Sequence, residues 1–192
     1  ARVVGNPLKR QIVNLATQSD WSAARANAKA EIGVSGELIL ILGGSTGSVS
    51  INKVISEINF DGRTVIHSLG KANDLPEATS NYRPVSYIED MATALLAADL
   101  VISRSGAIAC SEFAALGKYA LFIPLPIGNG EQALNANELV AAHKAEVLAQ
   151  DDFTATWLNQ NLERLLKQGT PEPLGTSLNA AEQIADCIGR VI

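Results

Sequence analysis

The sequence lacks the features that mark several large classes of protein. Charged residues make up 18% of the 192 residues, and the net charge is -5, which disfavours a broad electrostatic surface for nucleic acid. No apolar run approaches the roughly 20 residues that a membrane-spanning helix needs, and no signal peptide opens the chain. These absences predict a soluble, cytoplasmic protein that binds no nucleic acid.

Cysteine is almost missing from the chain. Cys110 and Cys187 lie far apart, neither has the spacing of a metal ligand, and both are flanked by apolar residues that favour helices. The pattern predicts two buried, reduced thiols.

Apolar residues, in contrast, are plentiful at 47% of the sequence, which is enough to form the core of one domain of ordinary size. The chain begins abruptly with "ARVVGNPLKR", like the interior of a longer protein. We therefore expect an excised domain.

Strand-like and helix-like segments alternate along the chain. Strands are predicted over 37–43, 63–70, 84–88, 98–106, 119–126 and 145–150. Helices are predicted over 22–33, 48–58, 90–98, 106–117, 131–143, 154–168 and 178–191, with Ser22, Asp90 and Thr154 as N-caps and Gly117 after a helix end. The alternation predicts an α/β fold with a Rossmann-like, six-stranded parallel sheet covered by helices on both faces.

The glycine-rich turn "LGGSTGS" follows the first strand and opens a helix, at the sheet edge where such folds bind ligands. Gly43, Gly44 and Gly47 let backbone N–H groups approach an anion, and Ser45 adds a hydroxyl donor. The pattern is neither a P-loop nor a clean dinucleotide fingerprint. A diphosphate site and a plain strand–helix turn both remain open.

The stretch "SRSGAIACSEFAALG" runs from another strand into a second helix N-terminus. Ser103 and Ser105 are candidate caps. Glu112, two turns into the helix, suits the vicinal hydroxyls of a ribose, but a solvated or capping carboxylate is also compatible with the pattern. Arg104 is either a surface cation or a partner for Glu112 or Asp99.

The loop "PLPIGNGEQALNAN" is rich in amides and carries one carboxylate. Amides offer both donors and acceptors and so suit sugar hydroxyls. The residues concerned are Asn129, Glu131, Gln132, Asn135 and Asn137. Ordinary loop chemistry ahead of a helix explains them equally well.

Five motifs occur here in the order seen in a known family: "GNPLKR", "LGGSTGS", "YIEDM", "SRSGAIACSEFAALGK" and "PLPIGNGEQALNANEL". From Gly5 to about Leu166 the chain resembles the C-terminal, donor-binding half of the MurG family of peptidoglycan N-acetylglucosaminyltransferases, which have the two-domain GT-B fold. The resemblance implies that UDP-N-acetylglucosamine (UDP-GlcNAc) is the donor. GlcNAc then passes with inversion to the MurNAc 4-hydroxyl of lipid I, which gives lipid II and releases UDP.

The resemblance also implies roles for individual residues. Ser45 contacts the donor diphosphate, and Glu112 holds the ribose hydroxyls. Ile88 reads the uracil edge through its backbone, with Met91 packed nearby. The residues expected to approach the nucleotide and its phosphates are Ala107, Ile108, Ala109, Cys110 and Ser111.

Gln132, with Asn135 behind it, is expected by the same resemblance to face the GlcNAc hydroxyls. Lys9 stands where the family usually has an arginine that neutralises phosphate. Lysine keeps the charge but loses the bidentate fork, so Arg10 is expected to share the role. Glu131 replaces the first of two glutamines common in the family, which leaves its sugar contact open.

The resemblance implies that residues 1–192 form one donor domain, with a terminal helix over 176–192 that packs toward the missing half. The general base and the lipid acceptor site are expected in that half, so this chain supplies no catalytic residue. Membrane association, on the cytoplasmic face, is expected only for the full-length protein. His67 is expected to be structural or substrate-lining, and His143 to complement a helix dipole.

No Asp-x-Asp metal motif is present. Helix N-termini, Ser45 and a cation are expected to stabilise the leaving diphosphate instead, with no bound metal and no cofactor. Three alternatives stay open: half of a UDP-GlcNAc 2-epimerase, a nucleotide-sensing or dinucleotide-binding module, and a structural interaction domain. The dinucleotide version is disfavoured because Leu69, Gly70 and Lys71 stand where it would need an acid.

Overall fold

The computed structural model describes residues 4–126, 130–169, 173–174 and 178–189. The described strands are β1 (Leu38–Leu42), β2 (Thr64–Ser68), β3 (Tyr82–Val85), β4 (Leu100–Ser103), β5 (Ala120–Phe122) and β6 (Ala145–Val147). They form one parallel sheet in the order β3-β2-β1-β4-β5-β6. The order reverses between β1 and β4, as in a doubly wound Rossmann-type sheet, which confirms the predicted fold class.

Helices follow the strands and cover both faces of the sheet. They are α1 (Arg10–Ala16), α2 (Trp21–Glu31), α3 (Val49–Ser56), α4 (Met91–Ala97), α5 (Ala107–Ala115), α6 (Glu131–Asn135), α7 (Asn137–Ala141), α8 (Ala155–Leu166) and α9 (Ala180–Gly189). None of the helices in the described ranges is long and apolar enough to cross a membrane.

Two apolar cores lie on opposite faces of the sheet, and β1 contributes to both. Leu38, Leu40 and Leu42 pack into the core formed with α1, α2, α4, α5 and α7, whereas Ile39 and Ile41 face α3 and α8. Because both faces of β1 are buried, the strand reads as a continuous apolar run rather than an alternating one.

Helix caps agree with the sequence at most positions. Asp90 and Thr154 are N-caps whose side chains accept from backbone N–H groups, and Gly117 has a positive φ of 60° after α5. The prediction of Ser22 was wrong: Asp20 caps α2, because the helix already begins at Trp21, which packs against the core.

Other elements differ from the predicted bounds. The third strand lies at 82–85 rather than 84–88, and its Pro84 is tolerated because β3 is an edge strand. The helix predicted over 131–143 is two short helices that meet at Ala136, and α1 was not predicted. Of the predicted terminal helix 176–192, the structure describes α9, while 176–177 and 190–192 lie outside the described residues.

One burial prediction was wrong, and one apolar side chain is unusually exposed. Val49 on α3 is 77% exposed, whereas Ile51 and Ile55 of the same helix are buried. Val49 is the first residue of α3, and it lines an open cleft at the carboxyl edge of the sheet. Cys110 is buried as predicted, but Cys187 on α9 is exposed.

Candidate functional site

A cleft of about 820 Å³ lies at the carboxyl ends of β1 and β4, where the strand order reverses. Its walls are the glycine-rich turn 43–48, the first turn of α3 and the first two turns of α5. Lys9 closes one side, and Leu125 and Gln132 from the segments after β5 close another. This is the position at which open α/β sheets bind ligands.

The glycines of the turn are required by close packing. Gly47 has a φ of 80°, and a Cβ there would lie 1.8 Å from the carbonyl oxygen of Leu69. Gly70 is equally confined, since its Cβ would lie 2.3 Å from the nitrogen of Gly47. The turn is therefore pressed against the segment that follows β2, and only glycine fits at these positions.

The N-terminus of α5 opens into the cleft without a side-chain cap. Gly106 is the N-cap residue, so the expected capping by Ser103 or Ser105 was wrong. Ser103 instead donates to the backbone carbonyl of Arg104 at 2.9 Å, and the buried hydroxyl of Ser105 has no partner among the described residues. The first N–H groups of α5 are consequently left free for a ligand.

Glu112 lines the same cleft and is only 9% exposed. None of the described residues donates a hydrogen bond to its carboxylate. Burial raises the pKa of the Glu112 carboxyl group, and Lys9 partly opposes that shift. The capping role considered above is thus excluded, and a largely buried carboxylate that opens onto a cleft takes its donors from water or from a ligand.

Arg104 is neither a free surface cation nor a partner of Glu112 or Asp99. Its guanidinium donates to Ile123 O, Pro124 O, Ser48 Oγ, Ser50 Oγ and Gln150 Oε1, at 2.7–3.1 Å. Asp99 is occupied elsewhere, by Arg25 and Lys29. Arg104 therefore ties the first turn of α3 to the segments that follow β5 and β6.

The structure brings together only part of the predicted site. The predicted residues that line the cleft are Lys9, Ser45, Met91, Ile108, Ala109, Glu112 and Gln132. Arg10 is exposed at the start of α1, and the side chain of Ile88 is buried in the core; neither is a lining residue. Their contacts with a ligand stay predictions.

Four further predicted residues surround a smaller cavity of about 160 Å³ on another side of α5: Ala107, Cys110, Ser111 and Asn135. Asn6 Nδ2 donates to Ser111 Oγ at 2.9 Å, and Asn135 Nδ2 donates to Ser105 O at 3.1 Å. These side chains attach the N-terminal segment and α6 to α5. In this structure they position the helix rather than face the main cleft.

Gln132 and Glu131 differ in their surroundings. Gln132 is half-buried and its Oε1 accepts from the backbone N–H of Leu125 at 3.0 Å, whereas Glu131 is exposed and does not line the cleft. The side-chain NH2 group of Gln132 donates to no acceptor in the described part of the chain. It remains available to a ligand.

Sequence reasoning missed Tyr87, which lines the cleft and is 38% exposed. The ammonium of Lys71 lies 5.0 Å from the centroid of its ring. The signal was present in "YIEDM", because Tyr87 follows β3 at the carboxyl edge of the sheet. An aromatic side chain at that edge is a suitable surface for a planar base.

His67 is structural. It is 1% exposed, with Nδ1 2.8 Å from Tyr82 Oη and Nε2 3.0 Å from Asn52 Oδ1. Because Asn52 Nδ2 donates to Leu69 O, Oδ1 is the acceptor for Nε2–H, and Nδ1 accepts from the tyrosine. Burial lowers the pKa of His67 to about 4, so the ring is neutral at pH 7.

Across the described ranges, no group of three or more His, Cys, Asp or Glu could hold a metal ion.

Comparison with known proteins agrees with this geometry. The profile of the glycosyltransferase family 28 C-terminal domain matches residues 38–190. The UDP-N-acetylglucosamine–N-acetylmuramyl-(pentapeptide) pyrophosphoryl-undecaprenol N-acetylglucosamine transferase of Corynebacterium glutamicum (strain R) is 36% identical over 99% of this chain and 58% of the relative. The protein of the same name from Streptomyces coelicolor is 38% identical over 84% of this chain and 46% of the relative. The chain spans about half the length of such relatives.

Solved structures show the same architecture. The crystal structure of Acinetobacter baumannii MurG matches with a TM-score of 0.69 and 26% identity, over 92% of this chain and 55% of that chain. The glycosyltransferase VinC, in complex with DTDP, matches with a TM-score of 0.52 and 20% identity, over 79% of this chain and 37% of that one. The second likeness is one of fold alone.

Proposed function

Because the chain belongs to the glycosyltransferase family 28 C-terminal domain family, we propose that its cleft binds UDP-GlcNAc as a sugar donor. The observation that supports this most directly is the carboxylate of Glu112, which is buried, unpaired among the described residues, and on the same cleft as two helix N-termini. A ribose supplies the vicinal hydroxyls that such a carboxylate needs, and a diphosphate suits the helix N-termini. A nucleoside diphosphate carries both groups.

The diphosphate is assigned to the uncapped start of α5 and to the glycine-rich turn. The N–H groups of Ala107, Ile108 and Ala109 have no partner within the helix, because they belong to its first turn. Ser45 and Lys9 line the adjacent walls and add a hydroxyl and a positive charge. Together these groups stabilise the leaving UDP without a metal ion.

The base and the sugar are assigned to the two ends of the cleft. Met91 and Tyr87 lie beside the uracil, which the backbone of Ile88 reads. The free amide of Gln132 faces the GlcNAc hydroxyls, and Asn135 holds α6 in place behind it. In this assignment Cys110 and Ser111 contribute through the position of α5, and Arg10 adds charge at the rim.

The proposed reaction of the whole protein is transfer of GlcNAc to the MurNAc 4-hydroxyl of lipid I, which yields lipid II and UDP. Two curated relatives carry a name that describes this transfer. The general base and the lipid acceptor site are assigned to the part of such proteins that this chain does not span, and that whole protein is proposed to act at the cytoplasmic face of the membrane. The 192-residue chain then binds the donor without turnover.

Calorimetric titration of the chain with UDP-GlcNAc, ADP-glucose and NAD tests the proposal. We expect binding of UDP-GlcNAc with clear preference, and an increase in the melting temperature with UDP, as ligand linkage requires. Equal affinity for all three ligands, or binding of none, would contradict it. Product analysis of the full-length protein then separates lipid II formation from 2-epimerisation of the sugar nucleotide.

A further inference from the structure

Arg104, like Arg83 among the described arginines, donates only to uncharged hydrogen-bond acceptors, but only Arg104 of these two lines the cleft. Nη1 donates to two backbone carbonyls, and Nη2 donates to two serine hydroxyls and the side-chain oxygen of Gln150. No described carboxylate lies within ion-pair distance of it. Arg25, Arg63 and Arg164, by comparison, each form an ion pair with at least one carboxylate.

The position of Arg104 makes this lack of a counter-charge significant. The residue is half-buried, follows β4 and lines the cleft beside the glycine-rich turn. Burial lowers the pKa of its guanidinium, although the group stays protonated at any ordinary pH. A cation that is partly removed from water and not neutralised by the protein favours an anion in the adjoining space.

We propose that Arg104 is a positioning residue that holds its uncompensated positive charge at the base of the cleft to attract the diphosphate of the bound nucleotide. The inference rests on the proposed function, because it assumes a nucleoside diphosphate in this cleft. The charge acts across the first turn of α3, where Ser48 is the N-cap residue and Ser50 follows. It adds to the partial positive charge of that helix N-terminus.

The hydrogen bonds of Arg104 fix where that charge lies. Ile123 and Pro124 precede Leu125, whose N–H in turn binds Gln132 on the opposite wall. The guanidinium fork therefore connects the phosphate side of the cleft to the proposed sugar side. Lysine at this position would keep the charge but could not satisfy five acceptors in the same geometry.

The test compares UDP with uridine, because only UDP carries the diphosphate. Calorimetry or ligand-observed NMR on the 192-residue chain gives the dissociation constants of both ligands for wild type, Arg104→Gln and Arg104→Lys. We expect Arg104→Gln to weaken UDP binding by about tenfold or more and uridine binding by no more than about twofold. Arg104→Lys is expected to recover most of the preference for UDP while lowering the melting temperature.

Arg83→Gln is the matched control. Arg83 also donates to backbone carbonyls without a carboxylate partner among the described residues, namely to Ile32 O at 2.6 Å and Gly33 O at 2.8 Å, but it does not line the cleft. We expect the same ratio of UDP to uridine affinity as in wild type. A similar fall in the UDP preference of this control would overturn the assignment to Arg104.

The outcomes separate the two proposals. If wild type binds UDP no better than uridine, the diphosphate site itself is wrong. If wild type prefers UDP and Arg104→Gln keeps that preference, or loses affinity equally for both ligands, only the role of Arg104 is wrong. Should Arg104→Gln fail to fold, Arg104→Lys decides, because loss of the UDP preference despite the retained charge would refute a charge effect.

Discussion

The ammonium of Lys9 partly compensates the carboxylate of Glu112, and the two residues line one cleft although they lie far apart in sequence. Burial remains the larger influence and keeps the pKa of Glu112 raised. A raised carboxyl pKa means that the charged form is less favourable in the folded chain than in the unfolded chain. A ligand that donates to Glu112 therefore needs the charged carboxylate, whereas the folded chain without a ligand is more stable when this group is neutral.

Replacing Glu112 by glutamine should separate those requirements. We expect Glu112→Gln to weaken UDP binding by about 10- to 100-fold, because a charged hydrogen-bond acceptor for the ribose is lost. The same variant should raise the free energy of unfolding by about 0.5–2 kcal/mol at pH 7, since an unpaired buried charge is removed. Calorimetry and chemical denaturation measure the two effects.

The stability gain should depend on pH in one direction. The folded pKa of Glu112 is raised above its ordinary 4.5, so wild type loses stability only as the pH rises past that ordinary value. The gain from Glu112→Gln should accordingly vanish at acid pH, where both chains are neutral at this position. Glu31→Gln, at an exposed residue of α2, is the control and should show no such gain. A gain that persists unchanged in acid would exclude the charge explanation.

Two glycines of the cleft should respond differently to alanine. Gly47→Ala forces a Cβ to 1.8 Å from Leu69 O at a φ of 80°, so we expect a loss of about 2–4 kcal/mol in stability. Gly106→Ala meets nothing within 4 Å at a φ of -65°, and should cost less than about 1 kcal/mol. Thermal unfolding of both variants measures the difference.

Gly106→Ala gives a second measurement because Gly106 lines the cleft and a methyl group there meets open space. If a diphosphate approaches the start of α5 closely, the variant should lose UDP affinity while remaining folded. Unchanged UDP binding by Gly106→Ala would place the phosphates elsewhere in the cleft.

The neutral ring of His67 should make the fold sensitive to acid. Its folded pKa of about 4 lies below the ordinary value of 6.5, so the unfolded chain takes up a proton first as the pH falls. Stability is fully present above about pH 6.5 and should fall toward pH 4 by at most about 1.4 kcal/mol per pH unit. Denaturation of wild type and His67→Gln across this range should show their difference shrinking in acid.

The second histidine provides the comparison. His143 is exposed after α7, so His143→Gln should retain the acid sensitivity of wild type. If instead His143→Gln abolished the acid sensitivity, the buried ring of His67 would not be the source of that sensitivity.

Lys118 should show the corresponding behaviour at alkaline pH. Its Nζ donates to Leu96 O at 2.7 Å and Ala98 O at 3.1 Å, and burial lowers the pKa of the ammonium from 10.5 to about 7. The unfolded chain binds the proton more tightly, so wild-type stability should rise as the pH increases from about 7 to 10.5.

Lys118→Met removes both the titration and the two hydrogen bonds at the end of α4. We expect it to cost about 1–3 kcal/mol at neutral pH, because two carbonyls lose their donor, and more at pH 9.5. Lys53→Met, at an exposed site on α3, should have little effect at either pH. A loss for Lys118→Met that is smaller at pH 9.5 than at pH 7.5 would contradict the lowered pKa.

The sheet and the position of the cleft could be predicted from the sequence because they depend on local patterns. Apolar runs that end in glycine mark the buried strands, and alternation with helices fixes a parallel sheet whose carboxyl edge binds ligands. The position of Glu112 two turns into α5 was sufficient to predict its place at that edge. Its burial was not predictable, since it depends on tertiary contacts of α5, such as those with α1.

The remaining features depend on contacts between distant segments. Arg104 finds acceptors on α3, after β5 and after β6, and no pattern around "SRSG" identifies Ser48 or Gln150 as partners. The N-cap of α2 is Asp20 rather than Ser22 because Trp21 must reach the core, although both residues suit the role locally. Tertiary packing, rather than the local sequence, therefore determines the partners of Arg104 and the N-cap of α2.

The attachment of the N-terminal segment to α5 has a practical consequence for the choice of fragment boundaries. Asn6 bonds to Ser111, α1 packs against α4 and α5, and Ile12 is 1% exposed. A shorter fragment that begins at β1 would keep every described strand, yet it would lose Lys9 and uncover the apolar surface beneath α1. Crystallisation or ligand screening should therefore use fragments that retain the residues from Asn6 onward, because the sheet alone does not carry a complete cleft.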